Sequence, residues 1–230
     1  MPDESMRSSY AKPGSRIAVN ICATVTAPPG RRASVQHPEV MLEPVVAGVR
    51  PSAAELLVAR VATPFGNCLV ASAAGAVCFL EFVAKDEQPA LQRLQSLWPG
   101  TRLRRVAKPD LQLGPLLTGT GAATSRLQLR GTPFQLQVWE ALLGIPAGTR
   151  IAYGELARQL GAPGAARAVA GAVAANHLAV LVPCHRVVRA DGDAGGYRWG
   201  QPLKLALLAA EQAAPHPTVM HNAAIGGSGA

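Results

Sequence analysis

Short, mainly apolar runs follow one another over residues 57–83, and two interruptions divide this region into three parts. The first interruption is Pro64-Phe65-Gly66 and the second contains Gly75. Because Pro and Gly favour tight turns and end strands, the pattern predicts three short β-strands. Residues 87–98 then space their leucines at helical intervals and end before a Pro-Gly pair, which predicts a helix. Together these elements predict a small α/β unit.

From Thr132 onward the pattern predicts mainly helices. Thr132 is suited to cap a helix that has Pro133 at its first position and an apolar stripe behind it. The stretches YGELARQLGAP and GAARAVAGAVAAN then predict two helices with a short turn around residues 161–164. Such a turn is typical of a helix-turn-helix pair, although short helical hairpins are common elsewhere. Residues 178–182, LAVLV, predict a buried extended segment.

The two ends of the chain have a different composition. Residues 1–55 are rich in Pro, Ser and Arg, and we expect a disordered or loosely ordered arm. Its apolar patch at residues 17–25 is interrupted by Asn20 and is too short for a membrane span, so we expect neither a signal peptide nor an anchor. Residues 214–230 predict a flexible tail.

These features divide the chain into four predicted parts. An arm at residues 1–55 precedes a small α/β domain at residues 56–126, in which residues 101–126 are largely connecting. A helical domain at residues 127–213 and the tail follow. With 230 residues and 49% hydrophobic content, the chain can form one sizeable core or two small ones.

Composition adds two constraints on function. The four cysteines are scattered without a CxxC pair, so we expect no disulfide framework, metal or other cofactor, and a reduced, cytoplasmic setting. The net charge of +8 favours a polyanionic partner such as nucleic acid. The excess is spread along the chain, however, and a mildly basic surface also serves solubility.

Two local features suggest specific chemistry. Arg167 is the single long side chain in a helix otherwise built almost entirely of Ala and Gly, which suits either close helix packing or entry into a narrow groove. Pro183 fixes the backbone just before Cys184, so the thiol is expected in a shaped, partly desolvated site. A buried thiol needs a base or cation to react. His185 is the nearest base, but adjacent side chains in extended chain point apart, and an inert core cysteine is the alternative.

Three stretches in order resemble the O6-alkylguanine-DNA alkyltransferases, also called methylated-DNA-protein-cysteine methyltransferases. They are FQLQVWEALLGIPAGTRIAYGELA, then ARAVAGAVAANHLAVLVPCHRVV, then GYRWG followed by LKLALLAAE. The similarity is specific over residues 130–211, weaker over residues 57–98 and absent from the first 55 residues. ARAVA, PCHRVVR and GYRWG look like the alkyltransferase half of the bacterial adaptive-response regulator. That regulator's metal-binding cysteine cluster has no counterpart, so transcriptional control is not predicted.

The resemblance implies both a fold and a reaction. The fold is an α/β N-terminal domain, with a small ribonuclease-H-like sheet and a helix, followed by a mainly α-helical, helix-turn-helix, winged-helix-like domain. The reaction is direct repair, in which the protein transfers the alkyl group of O6-alkylguanine, and of O4-alkylthymine, to its own cysteine and acts once. The implied partner is double-stranded DNA read with low sequence specificity, with no membrane and a monomeric protein.

The resemblance also assigns roles to residues. Cys184 is the nucleophile, His185 takes its proton through a water, Glu211 orients His185, and Asn176 holds the turn before the active-site loop. Tyr153 supplies a proton to the departing guanine, and Lys204 tunes Tyr153. The implied substrate pocket contains Ala179, Val187, Tyr197, Arg198 and Trp199. The implied DNA-binding residues are Tyr153, Arg167, Ala168, Ala172 and Ala174. His177 receives no role.

Three alternatives belong to other functional classes. A lesion-binding protein without transfer activity would not need the intact Cys184. A helix-turn-helix regulator would bind one duplex sequence tightly through the major groove. A thiol hydrolase would turn over repeatedly, whereas an alkyltransferase stops after one reaction.

Overall fold

The computed structural model describes residues 40–45, 51–107 and 126–213, within which eight strands and five α-helices are found. The strands are β1 (Val40–Pro44), β2 (Glu55–Thr63), β3 (Gly66–Ala73), β4 (Ala76–Phe82), β5 (Arg102–Arg105), β6 (Arg126–Gly131), β7 (Ile151–Ala152) and β8 (Val187–Val188). The helices are α1 (Gln88–Leu97), α2 (Pro133–Leu143), α3 (Tyr153–Gln159), α4 (Ala166–Ala174) and α5 (Gln201–Ala213). The predicted tail and most of the predicted arm lie outside the described residues.

Six strands form one mixed sheet in the order β1-β6-β4-β3-β2-β5. Strands β2, β3 and β4 are the three predicted strands, joined as antiparallel hairpins. Gly66 and Gly75 occupy the turns with φ of 123° and 76°, a region that glycine adopts without the strain other residues incur. Helix α1 confirms the predicted helix at residues 87–98.

The expectation of a loosely ordered arm through residue 55 was wrong for β1. This strand pairs in parallel with β6 at the edge of the sheet. Its Glu43 carboxylate forms an ion pair with buried Arg130 and accepts a hydrogen bond of 2.7 Å from the Ser52 hydroxyl. Pairing partners more than 80 residues apart fix this strand, so local composition does not reveal it.

Strand β5 corrects the expectation that residues 101–126 only connect the two parts. Its sequence RLRR lacks an apolar alternation because three of its four residues are exposed at the sheet edge. Glu55 on β2 holds the strand through ion pairs with Arg102 at 2.9 Å and Arg104 at 3.0 Å. Residues 108–125 of this segment lie outside the described residues.

The helical part begins as the sequence predicts. Thr132 and Gln135 form a capping box, in which the Gln135 backbone N–H donates to Thr132 Oγ1 and Gln135 Oε1 accepts from the Thr132 backbone N–H. Helices α3 and α4 follow as the predicted pair, joined by a turn in which Gly161 has φ of 71°. The coarse architecture is therefore an α/β N-terminal part followed by a helical part.

The segment before the cysteine joins the sheet at one point only. Leu178 bridges Leu80 of β4, flanked by backbone hydrogen bonds from Leu80 to the His177 carbonyl and from Ala179 to the Leu80 carbonyl. The predicted extended segment at residues 178–182 was wrong, because the chain turns immediately at Val180, which has φ of 66°. Burial of the segment was predicted correctly.

His177 links the two parts of the molecule through aromatic packing. Its ring stacks on Phe79 of β4 at 6.4 Å and meets the edges of Trp98 and Trp139 at 5.5 and 5.1 Å. Burial, together with the nearby charge of Arg198, lowers the pKa of His177 to about 3. The ring is therefore neutral and serves as a packing residue, which gives it a role that the sequence did not suggest.

Gly131, at the end of β6, tests this packing. A Cβ at this position would lie 2.6 Å from Trp139 Cζ3, and the Trp139 indole is held by a 2.8 Å hydrogen bond to the Ala172 carbonyl. We expect Gly131→Ala to lower the free energy of unfolding by about 1–3 kcal/mol, measured by urea denaturation. Gly171→Ala is the control, since its Cβ meets nothing within 4 Å and it should be neutral or slightly stabilising. Equal stability of the two variants would contradict this packing.

Candidate active site

Asn176 organises the turn that carries the cysteine. Its Nδ2 donates to the Val182 carbonyl at 2.9 Å and lies 3.1 Å from Cys184 Sγ, while its Oδ1 accepts from the Leu178 backbone N–H at 2.9 Å. Asn176 is buried and lies just beyond α4, whose C-cap residue is Ala175. One amide side chain therefore connects the end of the helix, the turn and the thiol.

A short 3₁₀ turn at Cys184–Arg186 replaces the extended chain that would separate cysteine and histidine. The buried His185 ring places Nε2 at 2.7 Å from Glu211 Oε1 on α5. Because a carboxylate accepts hydrogen bonds, the ring hydrogen lies on Nε2 and the lone pair on Nδ1. His185 Nδ1 is buried and has no hydrogen-bond partner among the described residues. Burial lowers the pKa of His185 against the opposing effect of Glu211, so the neutral ring is able to accept a proton.

The Glu211 carboxylate binds more than the histidine. Arg186 donates to it from Nε at 3.0 Å and from Nη2 at 2.7 Å, and the Gly148 backbone N–H donates at 3.1 Å. Burial alone would raise the pKa of Glu211, but its contacts with His185 and Arg186 lower that pKa to about 2. Glu211 is therefore a charged carboxylate that ties together α5, the 3₁₀ turn and the loop after α2.

The Cys184 thiol is buried beside a buried cation. Burial raises the pKa of the thiol, whereas the Asn176 hydrogen bond and the charge of Lys204 lower it. Lys204 Nζ donates to the Val187 carbonyl at 2.7 Å and to the Ala194 carbonyl. Burial raises the pKa of Tyr153, Cys184 adds to the rise and Arg189 opposes it. The role of Lys204 in tuning Tyr153 stays a prediction.

A cavity of about 270 Å³ opens onto the thiol. Of the predicted site residues, its walls contain Cys184, Asn176, Tyr153, Tyr197, Arg198 and Trp199, and α4 adds Val173 and Ala174. Val187 and Ala179 were also predicted in the pocket, but neither lines the cavity, and both are fully buried. Val187 contributes its carbonyl to Lys204, and Ala179 contributes its backbone N–H to the bond with the sheet.

Trp199 fixes one wall of this cavity. Its indole packs edge-on against Tyr197 at 5.1 Å and against Phe82 of β4 at 6.0 Å. The same side chain therefore lines the cavity and packs the helical part against the sheet.

Helix α4 has two different faces. Val169, Ala172 and Val173 are buried, and the Ala172 carbonyl accepts the hydrogen bond of Trp139, so Ala172 is not available to DNA as predicted. The opposite face is exposed and consists of Arg167, Ala168, Gly171 and Ala174. Small residues thus serve close packing on one side and leave a slim surface with one long cation on the other.

Comparison with known proteins identifies the family. Residues 133–213 match the family model described as 6-O-methylguanine DNA methyltransferase, DNA binding domain. The structure matches the crystal structure of Mycobacterium tuberculosis O6-methylguanine methyltransferase with 36% sequence identity and a TM-score of 0.59, covering 70% of this chain and 96% of that chain. This chain belongs to the O6-alkylguanine-DNA alkyltransferase family.

Two further matches bear on this alkyltransferase. The bifunctional transcriptional activator/DNA repair enzyme Ada of Escherichia coli is 41% identical over 154 residues, which are 64% of this chain and 42% of that protein. A crystal structure of the Mycobacterium tuberculosis protein in complex with DNA is 34% identical with a TM-score of 0.56, covering 68% of this chain and 92% of that chain. The chain spans about half the length of the curated relatives it matches.

Sequence reasoning missed three contributors to this alkyltransferase site. Arg186 and Gly148 hold the Glu211 carboxylate, and Arg189 lies close enough to Tyr153 to oppose the rise in its pKa. Arg186 and Arg189 lie within the PCHRVVR motif, so proximity to Cys184 was an available signal. Gly148 contributes only a backbone group, and nothing in its residue type indicates that contact.

The low pKa of Glu211 in the alkyltransferase predicts a pH-dependent contribution to stability. Because folding lowers this pKa from 4.5 to about 2, the stabilisation is complete above about pH 5 and is lost as the pH falls through that interval. The free energy of unfolding of Glu211→Gln should therefore be about 2 kcal/mol lower than that of the wild type at pH 6, and this gap should close towards pH 2. Thermal and urea denaturation across this range measure the gap, and a constant difference would contradict the charged cluster.

Proposed function

We propose that this protein repairs DNA by moving the alkyl group of O6-alkylguanine, and of O4-alkylthymine, onto Cys184 in a single irreversible reaction. The observation that carries the proposal is a thiol on a cavity wall, 3.1 Å from Asn176 Nδ2 and adjacent in sequence to a His185–Glu211 pair joined at 2.7 Å. The matched Mycobacterium tuberculosis protein is named an O6-methylguanine methyltransferase, and the Escherichia coli relative a DNA repair enzyme, which supports the same activity here.

The reaction requires deprotonation of a thiol whose burial raises its pKa. His185 Nδ1 takes the proton through a water, and Glu211 retains the hydrogen bond to Nε2, so the imidazolium is stabilised. The buried Lys204 ammonium stabilises the thiolate. Sulfur then attacks the alkyl carbon, a carbon–sulfur bond forms, and the electrons of the broken carbon–oxygen bond pass to the guanine.

The departing guanine needs a proton to be a good leaving group. Tyr153 lies on the cavity wall, and burial raises the pKa of its phenol, so the hydroxyl carries its proton at neutral pH. We assign it as the donor. The product is a thioether at Cys184, which no group in the described part of the chain would remove, and the protein acts once.

DNA is the proposed partner because the exposed face of α4 suits a narrow groove. Arg167 projects from this face in place of the displaced nucleotide, while Ala168, Gly171 and Ala174 leave room for the groove walls. Contacts to phosphates and groove walls give low sequence specificity. The matched structure in complex with DNA supports this partner, and we assign the finer winged-helix-like and ribonuclease-H-like architecture on the same grounds. The monomeric state and cytoplasmic setting stay predictions; within the described ranges, no helix is long and apolar enough to cross a membrane.

Stoichiometry tests the proposed reaction. With excess duplex containing O6-methylguanine, the repaired product should rise to one mole per mole of protein and stop. Cys184→Ala should give no product but retain duplex affinity within about threefold, because only the nucleophile is lost. Glu211→Gln should slow the reaction by about tenfold or more without stopping it. Continued turnover by the wild type would contradict the proposal and favour a hydrolase.

Arg167→Ala tests the role of the exposed helix face. Repair in duplex should fall by about tenfold or more, whereas transfer from the free O6-methylguanine nucleoside should change less than about twofold, because only the duplex requires nucleotide displacement. Arg158→Ala is the matched control, since it removes an exposed arginine from α3 that is paired with Glu155. If Arg158→Ala and Arg167→Ala reduce duplex repair equally, general charge rather than Arg167 is responsible.

A further inference from the structure

Arg198 reaches from the cavity wall to the end of the exposed helix. Its Nε and Nη2 donate to the Ala174 carbonyl at 3.1 and 2.5 Å. Ala174 is the last residue of α4, and both residues line the cavity. Because a helix C-terminus carries partial negative charge and unpaired carbonyls, a guanidinium is well suited to this position. The contact therefore fixes the distance between the α4 terminus and the opposite wall of the cavity.

A buried carboxylate in the sheet holds the same guanidinium from the other side. Glu81 lies on β4 with 1% of its side chain exposed, and its Oε1 is 3.8 Å from Arg198 Nη1. Arg93 of α1 also donates to Glu81, from Nε at 3.1 and 2.8 Å to the two oxygens. A carboxylate this deeply buried requires its partners, because an unpaired buried charge is strongly unfavourable. Glu81 is thus a fixed anchor in the N-terminal part.

These contacts form a continuous path through both parts of the molecule. It runs from Glu81 on β4 to Arg198 on the cavity wall and to Ala174 at the end of α4, and Arg93 on α1 is a second partner of Glu81 outside this path. The path leaves Cys184, His185 and Glu211 untouched, so it is distinct from the groups that perform the transfer. What it controls is the position of the exposed helix relative to the cavity.

We propose that Glu81 and Arg198 are positioning residues for repair of duplex DNA, with Glu81 acting through Arg198. They hold the C-terminal end of α4 in register with the cavity, so that a nucleotide displaced at this helix enters opposite Cys184. This inference rests on the proposed function. A free nucleoside needs no displacement from a duplex, so the positioning of α4 matters for the duplex and much less for the nucleoside.

The readout is the rate of transfer from the duplex divided by the rate from the free O6-methylguanine nucleoside. Glu81→Gln and Arg198→Met should each lower this ratio by about tenfold, and the double variant should lower it no further, because both changes interrupt one path. Arg93→Met is the matched control. It removes a guanidinium from Glu81 but leaves the contact between Glu81 and Arg198, and the ratio should stay within about twofold.

Three results would overturn the inference. These are an unchanged ratio in Arg198→Met, additive losses in the double variant, or an equal loss in Arg93→Met. If Glu81→Gln fails to fold, the comparison of Arg198→Met with Arg93→Met is sufficient. Each of these variants removes one guanidinium from Glu81, but only Arg198→Met also removes the contact with Ala174. A wild type that transfers no alkyl group from either substrate would instead overturn the proposed function, so the two failures are distinguishable.

Discussion

The Glu211 carboxylate is the contact on which the geometry of the active site depends. It sits on the last helix and binds His185, Arg186 and the backbone of Gly148 at the same time. The contacts with His185 and Arg186 keep the carboxylate charged although it is largely buried, and the charged carboxylate fixes the hydrogen of His185 on Nε2. The other ring nitrogen is consequently available as a base. Without Glu211, the buried His185 imidazole would lose its hydrogen-bond partner, and the partly buried Arg186 would keep only the Ile145 carbonyl.

This arrangement addresses the central difficulty of a buried nucleophile. Burial protects Cys184 from unrelated reactions but raises its pKa, so the thiol is unreactive until a base removes its proton. Asn176 and Lys204 counter the rise through a hydrogen bond and a positive charge. The proposed chemistry therefore depends on a substrate placed against the thiol, and the framework of Glu81, Arg198 and α4 provides that placement for a duplex.

The sequence predicted those elements whose signals are local. Strands β2 to β4 are short, mainly apolar runs separated by turns that contain Gly, and α2 has Thr132 and Pro133 at its start. Strand β1 depends on pairing with distant β6, and β5 lacks apolar alternation, so neither was predicted. The turn after His177 depends on side-chain hydrogen bonds from Asn176, which hydrophobic pattern does not reveal.

The site was predicted in part for similar reasons. Motif resemblance pointed to Cys184, His185 and Glu211. The structure joins His185 to Glu211 by a hydrogen bond, and Cys184 directly precedes His185 in the chain. It did not determine which face of α4 is exposed, and so it placed buried Ala172 among the DNA contacts. The ion pairs of Glu81 with Arg93 on α1 and with the distant Arg198 were not predicted, because contacts between separate elements leave no local pattern.

Peptide mass spectrometry after reaction with excess O6-methylguanine duplex tests the central claim most directly. Cys68 and Cys78 are also buried, with pKa values raised by burial, but neither lies on the cavity wall. The account predicts one methyl group per protein, found only on the peptide containing Cys184. Methyl on another cysteine, or repaired duplex with an unmodified Cys184, would contradict it.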